Sequence, residues 1–311
     1  MINKIVSYYE DALKIKSGIM PVPRMAVIYP TYLCNFRCSH CMYSNMRNRK
    51  NNYPLGKLKR LVNEIAEIGT RAVVFCGGGE PMLYPHFREI VKHIARRNLE
   101  FGIISNGSML GKYYKLLVDN SRFIRITVDS VDKENYQRIH QPQNGFTVDN
   151  VIDDIQSAVR YRNIKKNKCT IGVKTLLSKY NLHEKETIEK VFRDIGVDYV
   201  TFKEARKCES ELEGLTPVTI KHKCFMSPIQ TMIDASGDVF VCSFYQYRIK
   251  SHKFGNVLDR PFREVWYSQE HRKAIENIKT EECEKYECKL NTYNNLMDEI
   301  LTKDPDHINF F

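Results

Sequence analysis

Three cysteines in the N-terminal part of the chain form its most chemically specific pattern. Cys34, Cys38 and Cys41 have C-x3-C-x2-C spacing and follow the apolar, strand-like run Met25–Tyr29. Three thiolates on one short loop can hold three irons of a [4Fe–4S] cluster, and such clusters normally take four cysteine ligands. The spacing therefore predicts a cluster whose fourth iron is open to a small molecule. A zinc knot or buried free thiols are the alternatives, although structural zinc usually takes four ligands in paired spacings.

Composition limits the classes of protein that fit the chain. Its 311 residues are 42% hydrophobic and 27% charged, which is typical of a soluble globular protein. No stretch approaches the roughly 20 apolar residues of a membrane span. Charges run through the N-terminal segment 1–24, which predicts a helical extension and not a signal peptide. Ten cysteines without a secretory signal favour cluster or metal chemistry in a reducing compartment, and hence a cytoplasmic location.

The net charge of +11 has two interpretations. Much of the positive charge is scattered in short runs typical of a solvated surface. The remainder favours an anionic partner, such as a phosphorylated sugar, a nucleotide conjugate or RNA. We expect a small anionic or polyhydroxylated substrate. No membrane partner is expected, and nucleic acid is disfavoured because the sequence has no aromatic-basic RNA motif.

Short β-rich runs alternate with amphipathic stretches from Met25 to about Glu204. The predicted strands are Met25–Tyr29, Ala72–Cys76, Phe101–Ser105, Phe123–Asp129, Thr170–Leu176 and Tyr199–Lys203. The predicted helices are Lys57–Ile68, His86–Arg97, Tyr113–Asp119, Val148–Tyr161 and Glu184–Ile195. This alternation implies a parallel sheet covered by helices. Six such units are fewer than the eight of a closed TIM barrel, and reactive groups of this architecture gather at the C-terminal ends of the strands.

The pattern changes after Glu204. Residues 205–222 have no clear period and predict a linker. A hairpin is then predicted from Ile229–Asp234 and Val239–Cys242 around a four-residue turn. The last predicted elements are two helices, Phe262 to about Ile278 and Asn294–Leu301.

Polar groups also follow the next three predicted strands. These groups are Gly77, Gly78, Gly79 and Glu80 after strand two, Ser105 and Asn106 after strand three, and Thr127 and Asp129 at the end of strand four. With the cysteine loop, they resemble the radical S-adenosylmethionine (SAM) enzymes, whose open iron binds the amino and carboxylate groups of SAM. The resemblance implies that all of these residues bind SAM, with the glycine backbone and Glu80 receiving its ammonium group. Turns and helix caps remain the alternative for each strand end.

Two positions depart from the pattern of the family. The residue before the third cysteine is often aromatic or aliphatic, whereas here it is His40, which can stack near adenine or titrate. An arginine that reaches the SAM carboxylate often follows strand four. His140 takes that place here, which leaves Arg138 as the substitute.

Four C-terminal cysteines suggest a second cluster. Cys224, Cys242, Cys283 and Cys288 resemble the shortened SPASM, or twitch, domain, which implies an auxiliary [4Fe–4S] cluster. The last pair is C-x4-C where C-x2-C is more usual, and zinc bound by the same four thiols is the alternative. Too few cysteines remain for a third cluster, so two are expected.

The family resemblance implies an α/β fold with a partial (β/α)6 TIM-like barrel and a small C-terminal cluster-binding domain of hairpin and helix. The expected organisation is an N-terminal helical extension, the barrel, a linker and the twitch-like region, at 1–24, 25–204, 205–222 and 223–311.

The remaining reactive residues have less specific settings. Cys76 and Cys169 lie in apolar strand contexts and are expected to be buried. Cys208, in the linker, is either a surface thiol or a hydrogen-atom donor to a substrate radical, as in epimerases of the superfamily. Lys174 and Lys203 are expected to contact substrate, together with Glu204 and Arg206; solvent-facing strand ends are the alternative.

The implied activity is that of a radical SAM oxidoreductase. An external donor such as flavodoxin or ferredoxin supplies an electron, SAM is split, and the 5′-deoxyadenosyl radical takes a hydrogen atom from a sugar, aminocyclitol or nucleotide-linked sugar. The auxiliary cluster then accepts the substrate's electron. Epimerisation, decarboxylation and peptide modification are the enzymatic alternatives, and the short segment before strand one disfavours peptide modification. A basic RNA-binding module with a cluster or zinc is the non-enzyme alternative.

Overall fold

The chain folds around one mixed sheet of nine strands, ordered β6-β5-β4-β3-β2-β1-β7-β8-β9. The structure is a computed structural model that describes residues 7–46, 49, 51–143, 145–204, 223–243, 248–284, 288 and 290–302. The six predicted barrel strands are present as β1 Met25–Ile28, β2 Ala72–Phe75, β3 Glu100–Ser105, β4 Phe123–Thr127, β5 Thr170–Leu177 and β6 Tyr199–Glu204.

Strands β1 to β6 are parallel and lie side by side in chain order. Met25 of β1 pairs with Ala72 of β2, and the same parallel pairing continues to β6. The sequences of these strands are rich in Val, Ile and Phe, because packing buries the strands of a parallel sheet. The predicted partial barrel is therefore confirmed.

One helix, α1 Tyr9–Lys16, precedes β1, and the helices between the barrel strands cover one face of the sheet. The latter are α2 Leu55–Glu67, α3 Phe87–Arg96, α4 Leu110–Asn120, α5 Lys133–His140, α6 Val148–Ile164 and α7 Lys185–Ile195. Single-turn 3-10 helices occupy Ser44–Met46, Pro81–Leu83, Leu182–Glu184 and Ser227–Ile229. The C-terminal helices are α8 Ile249–His252, α9 Phe262–Trp266, α10 Gln269–Glu276, α11 Glu281–Glu284 and α12 Asn291–Thr302.

Local capping explains two helices that differ from the sequence prediction. α5 was not predicted; Asp132 begins it by accepting a hydrogen bond from the Asn135 N–H at 2.9 Å. The single helix predicted from Phe262 to about Ile278 is wrong, because the chain forms α9 and α10 instead. Ser268 lies between them and caps α10, accepting from the His271 N–H at 3.2 Å.

The predicted hairpin continues the barrel sheet. It consists of β7 Gln230–Ile233 and β8 Asp238–Phe240, which are antiparallel to each other. β7 also pairs in parallel with β1, so that Met25 lies opposite Gln230. A further strand, β9 Lys253–Asn256, extends the sheet beyond β8 and was not predicted. The C-terminal region is thus joined to the first barrel strand by backbone hydrogen bonds.

Two apolar clusters fill the two faces of the sheet. The larger lies between the strands and their helices and includes Ile124, Ile126 and Ile171. The smaller lies on the other face of β1 and β7 and includes Val27, Tyr29, Tyr32, Met232 and Phe240. Successive residues of a strand point to opposite faces of the sheet. The strand residues that alternate with members of the larger cluster therefore lie on the face that these helices do not cover, called the helix-free face below. No helix in the described ranges is long and apolar enough to cross a membrane.

Candidate functional site

The cysteine loop lies directly after β1, at its C-terminal end. Cys34 is exposed, whereas Cys38 and Cys41 are half-buried. A turn holds the second and third cysteines together, since the Cys41 N–H donates to the Cys38 carbonyl at 3.2 Å. The end of α5 anchors the loop, because the Ser39 N–H donates to the Ile139 carbonyl at 2.9 Å. The three thiols are therefore presented from one braced loop.

The glycine run after β2 packs tightly against this loop. A Cβ added at Gly79 would lie 2.1 Å from the Leu33 carbonyl oxygen, which is far inside any real contact distance. The N–H of the next residue, Glu80, donates to the same oxygen at 2.7 Å. A Cβ at Gly77 would meet the Tyr43 ring at 2.9 Å. These glycines have a structural reason to be small, whether or not their backbone also binds SAM.

Glu80 ties the ends of β2 and β3 together. Its buried carboxylate accepts hydrogen bonds from the Met82 N–H at 3.0 Å, the Ser105 hydroxyl at 2.9 Å and the Asn106 N–H at 2.8 Å. Burial raises the pKa of Glu80 to about 7, although these hydrogen bonds favour the charged form. Asn106 continues the connection, since its Nδ2 donates to Asn35 Oδ1 in the cysteine loop at 3.1 Å.

Two histidines share the Asp129 carboxylate beside the cysteine loop. His40 Nε2 lies 3.0 Å from Asp129 Oδ2, so its ring is oriented by this contact. Asp129 Oδ1 accepts from the Leu176 N–H at 2.6 Å. His140 is fully enclosed, with Nδ1 3.4 Å from Cys38 Sγ and Nε2 accepting from the Asp129 N–H at 3.0 Å. Burial lowers the pKa of His140 to about 4, which keeps the ring neutral.

Other predicted residues lie in more open positions. Thr127 is half-buried and pairs in register with Lys174 of β5, which is also half-buried. Lys203 is exposed on β6, opposite Leu176. Arg138 is on the exposed side of α5, its guanidinium 4.8 Å from the centre of the Tyr180 ring. Cys208 and Arg206 lie outside the described residues.

Arg125 was missed by the sequence interpretation. It is on the helix-free face of β4, because its neighbours Ile124 and Ile126 belong to the cluster under the helices. Its Nε is buried, with no hydrogen-bond partner among the described residues. A charged residue between two isoleucines in a strand was the signal that could have found it. Cys169 is buried, as expected, and Cys76 is half-buried.

The four C-terminal cysteines line one cavity. Cys224, Cys242, Cys283 and Cys288 share it with the apolar side chains of Val241, Ile278 and Leu290, among others. Two basic residues that the sequence interpretation did not identify, Arg248 and His252, also line it. The nine described cysteines form no disulfide.

The two cysteine sites lie at opposite ends of neighbouring strands. The N-terminal loop follows the end of β1, whereas Cys224 precedes the start of the parallel strand β7 and Cys242 follows the antiparallel strand β8. The strands β1, β7 and β8 therefore run from one cysteine site towards the other.

The donor sets fit iron–sulfur clusters. Three thiols on one loop and four thiols lining one cavity are the kind of ligands that cubane clusters take. In the described ranges, no three His, Cys, Asp or Glu side chains converge closely enough to bind one metal ion.

Comparison with known protein families gives two matches. Residues 28–191, just over half of the chain, match the radical SAM superfamily. Residues 224–289 match the SPASM family, described as an iron-sulfur cluster-binding domain, and this range contains all four C-terminal cysteines. The two matches confirm the cofactors predicted from the cysteines, namely [4Fe–4S] clusters and SAM.

Curated relatives are similar over part of their length. The tungsten-containing aldehyde ferredoxin oxidoreductase cofactor-modifying protein of Pyrococcus furiosus is 23% identical over 176 residues, covering 54% of this chain and 48% of the relative. The S-adenosylmethionine-dependent nucleotide dehydratase of Flammeovirga pacifica is 27% identical over 161 residues, covering 49% and 52%. The matched region thus spans about half the length of these relatives.

Solved structures share the fold over more of the chain. Streptococcus suis SuiB bound to SAM superposes with a TM-score of 0.65 at 17% identity, covering 93% of this chain and 77% of SuiB. SuiB bound to its precursor peptide SuiA gives a TM-score of 0.61 at 15% identity, covering 86% and 70%. With the cysteine loop, the parallel strands and the C-terminal cysteine cavity in place, this chain belongs to the radical SAM superfamily and carries a C-terminal SPASM domain.

Proposed function

We propose that the protein is a radical SAM oxidoreductase that oxidises a small anionic metabolite and passes the released electron to its C-terminal cluster. The observation that carries the proposal is the cavity lined by the four C-terminal cysteines. It lies beside the β7–β8 hairpin, which is hydrogen-bonded to β1. β1 also leads into the first cysteine loop. The adjacent strands β1 and β7 therefore connect the two proposed cluster sites.

The proposed reaction balances with one electron in and one electron out. Cys34, Cys38 and Cys41 would hold the first cluster, which with SAM and one electron from an external donor would supply the radical that removes a hydrogen atom from a substrate C–H bond. The substrate radical would then release a proton to solvent and one electron to the cluster held by the C-terminal cysteines. Cys34 is exposed, which supports access by a small electron donor such as flavodoxin or ferredoxin.

The helix-free face of β4 to β6 supports an anionic substrate. Its positions carry Arg125, Lys174 and Lys203, with no carboxylate at any helix-free position of these three strands. Thr127, opposite Lys174, adds a hydroxyl. A guanidinium beside an ammonium group is suited to a phosphate or carboxylate, because both donate charge-assisted hydrogen bonds.

Two aromatic rings also lie on this helix-free face. A Cβ added at Gly172 would lie 2.1 Å from the Tyr199 ring, and one at Gly102 would lie 2.2 Å from the Phe123 ring. The two rings therefore cover glycines of the neighbouring strands. Tyr199 lies level with Arg125 across Gly172, and Phe123 lies two residues nearer the N-terminal end of β4. These rings place aromatic surface beside the cations, which helps to exclude water from a reactive substrate. The similarity to a nucleotide dehydratase also supports a phosphorylated small molecule.

Peptide modification is the second candidate. The likeness to SuiB, solved with the precursor peptide SuiA, favours it and runs against the expectation drawn from the short segment before β1. Epimerisation would require a hydrogen-atom donor such as Cys208, which lies outside the described residues.

Arg125→Gln is expected to reduce substrate-dependent hydrogen-atom transfer. The reconstituted protein would be tested anaerobically in D2O with phosphorylated sugars and nucleotides, their dephosphorylated forms, and precursor-type peptides. A hydrogen taken from a substrate C–H bond yields unlabelled 5′-deoxyadenosine. We expect one class of anionic metabolite to stimulate this product, and Arg125→Gln to lower the stimulation by at least about tenfold, since a hydrogen bond to a charged group contributes about 1.5–3 kcal/mol.

Arg122→Gln is the matched control for that experiment. Arg122 precedes β4, its side chain is 67% exposed, and it pairs with Glu100 at 3.2 Å. Its loss should leave the stimulation unchanged. Stimulation by a peptide and by no anionic metabolite would overturn the small-molecule proposal, and an unchanged Arg125→Gln would remove Arg125 from the substrate site.

A further inference from the structure

The exposed wall of the cavity of the four C-terminal cysteines is mostly apolar, although Ser227, Gln230, Thr280 and Asn294 also contribute to its lining. Val241 is buried, and Ile278 and Leu290 are half-buried in its wall. In such a low-dielectric setting, a single fixed charge acts more strongly on its neighbours than it would in water. Any cation that lines this cavity should therefore affect the electron affinity of a cluster bound there.

Arg248 is such a cation. Only 7% of the residue is exposed, and its Nη1 donates to Cys283 Sγ at 3.2 Å. A guanidinium has five donors and no acceptor, and it stays charged at any pH a protein tolerates. The direction of this hydrogen bond is therefore unambiguous, from the arginine to the sulfur.

The backbone around Arg248 fixes its position. Arg248 lies immediately before the short helix α8, and its carbonyl accepts from the His252 N–H at 2.9 Å and from the Ser251 hydroxyl at 3.2 Å. His252, four residues later, lines the same cavity because residues at i and i+4 share a helix face. Its Nε2 is buried without a hydrogen-bond partner among the described residues. One turn of chain thus places two basic side chains in the wall of the cavity, and one of them, Arg248, reaches a cysteine.

We infer that Arg248 donates a hydrogen bond to the Cys283 ligand sulfur and raises the reduction potential of the auxiliary cluster, which fits that cluster to accept the substrate's electron. Reduction adds negative charge to the cluster and its thiolates. A buried positive charge and a hydrogen bond to a sulfur both favour that reduced state. The inference rests on the proposed role of this cluster as electron acceptor, but the potential itself can be measured without substrate.

The test uses the full chain with Cys34, Cys38 and Cys41 all replaced by alanine, so that only the auxiliary cluster remains. An EPR-monitored redox titration would compare this background with Arg248→Gln, Arg248→Lys and Lys250→Gln. Arg248→Gln should make reduction at least about tenfold less favourable, which is about 59 mV for one electron. Arg248→Lys keeps the charge and should shift the potential less. Lys250, exposed on α8, should leave it unchanged when replaced.

An unchanged reduction potential in Arg248→Gln would overturn the inference. An equal shift in Lys250→Gln would also overturn it, because the shift would then reflect the loss of any nearby positive charge. If the glutamine variant does not hold its cluster, a second measurement decides. Protein labelled with 15N-arginine should show a weak nitrogen coupling to the reduced cluster by pulsed EPR, and Arg248→Lys should abolish it. Absence of that coupling in the background protein would also overturn the inference. These readouts need neither SAM nor substrate, so they remain valid if substrate oxidation itself is disproved.

Discussion

Gly79→Ala is expected to empty the N-terminal cluster site and abolish SAM cleavage. The added methyl group would lie 2.1 Å from the Leu33 carbonyl oxygen and 2.6 Å from the Tyr32 carbonyl carbon. Both are backbone atoms of the segment leading into Cys34, so no side-chain rotation can relieve the overlap. The loop must move away from β2 and lose the hydrogen bond from the Glu80 N–H. Iron content should fall from about eight to about four per chain, at about four per cubane cluster.

Gly56→Ala is the control for this substitution. Gly56 is the second residue of α2, and a Cβ added there would meet nothing within 4 Å. Alanine is favoured over glycine in a helix by up to about 1 kcal/mol, so this variant should keep its iron and its activity. A Gly79→Ala protein with full iron and normal SAM cleavage would show that the loop does not need the close contact at Gly79.

Glu80→Gln should change how the free energy of unfolding of the protein depends on pH. The carboxylate accepts three hydrogen bonds, two of them from the backbone of Met82 and Asn106. An amide has one oxygen only, so its NH2 group would face the N–H of Asn106. Near pH 5 the wild-type carboxyl is protonated, because its pKa is about 7, and it also presents one carbonyl oxygen and one O–H to the same donors. We therefore expect the variant and the wild type to have similar stability near pH 5.

The stabilities of the two proteins should separate as the pH rises, because only the wild type loses stability. Because burial raises the pKa of Glu80 from its usual 4.5 to about 7, the folded chain binds this proton more tightly than the unfolded chain. The resulting stability is fully present below about pH 4.5 and is lost as the pH rises through about 7. At about 1.4 kcal/mol per pKa unit, this group lowers wild-type stability by about 3 kcal/mol across that range. Glutamine has no such proton. Urea unfolding of the cluster-free chain from about pH 5 to pH 8 compares the two slopes, and parallel slopes would contradict the expectation.

The barrel was predictable because its signals are local. Runs such as Ala72–Phe75 and Thr170–Leu177 are apolar and β-branched, and amphipathic helices separate them. A parallel sheet in chain order follows from that alternation. The pairing of β7 with β1 was not predictable, since about 200 residues separate Met25 from Gln230 and no local pattern specifies such a contact.

The site was predictable only in part, for a related reason. The spacing of Cys34, Cys38 and Cys41 specifies a three-thiolate loop by itself. In contrast, the roles of other residues depend on which distant segments meet. His140 differs from the arginine usual in the family, yet its place beside Cys38 emerges only when α5 packs on the loop. Arg248 likewise meets Cys283 only in the folded chain, 35 residues away.

The most direct test of the central claim compares the wild-type chain with the variant in which Cys34, Cys38 and Cys41 are replaced together by alanine. Iron, sulfide and SAM cleavage would be measured after anaerobic reconstitution. We expect about eight irons in the wild type and about four in the variant, at about four per cubane cluster, with SAM cleavage lost. A variant that binds no iron would contradict the assignment of the C-terminal cysteines to a second cluster. A variant that still cleaves SAM would contradict the assignment of the first.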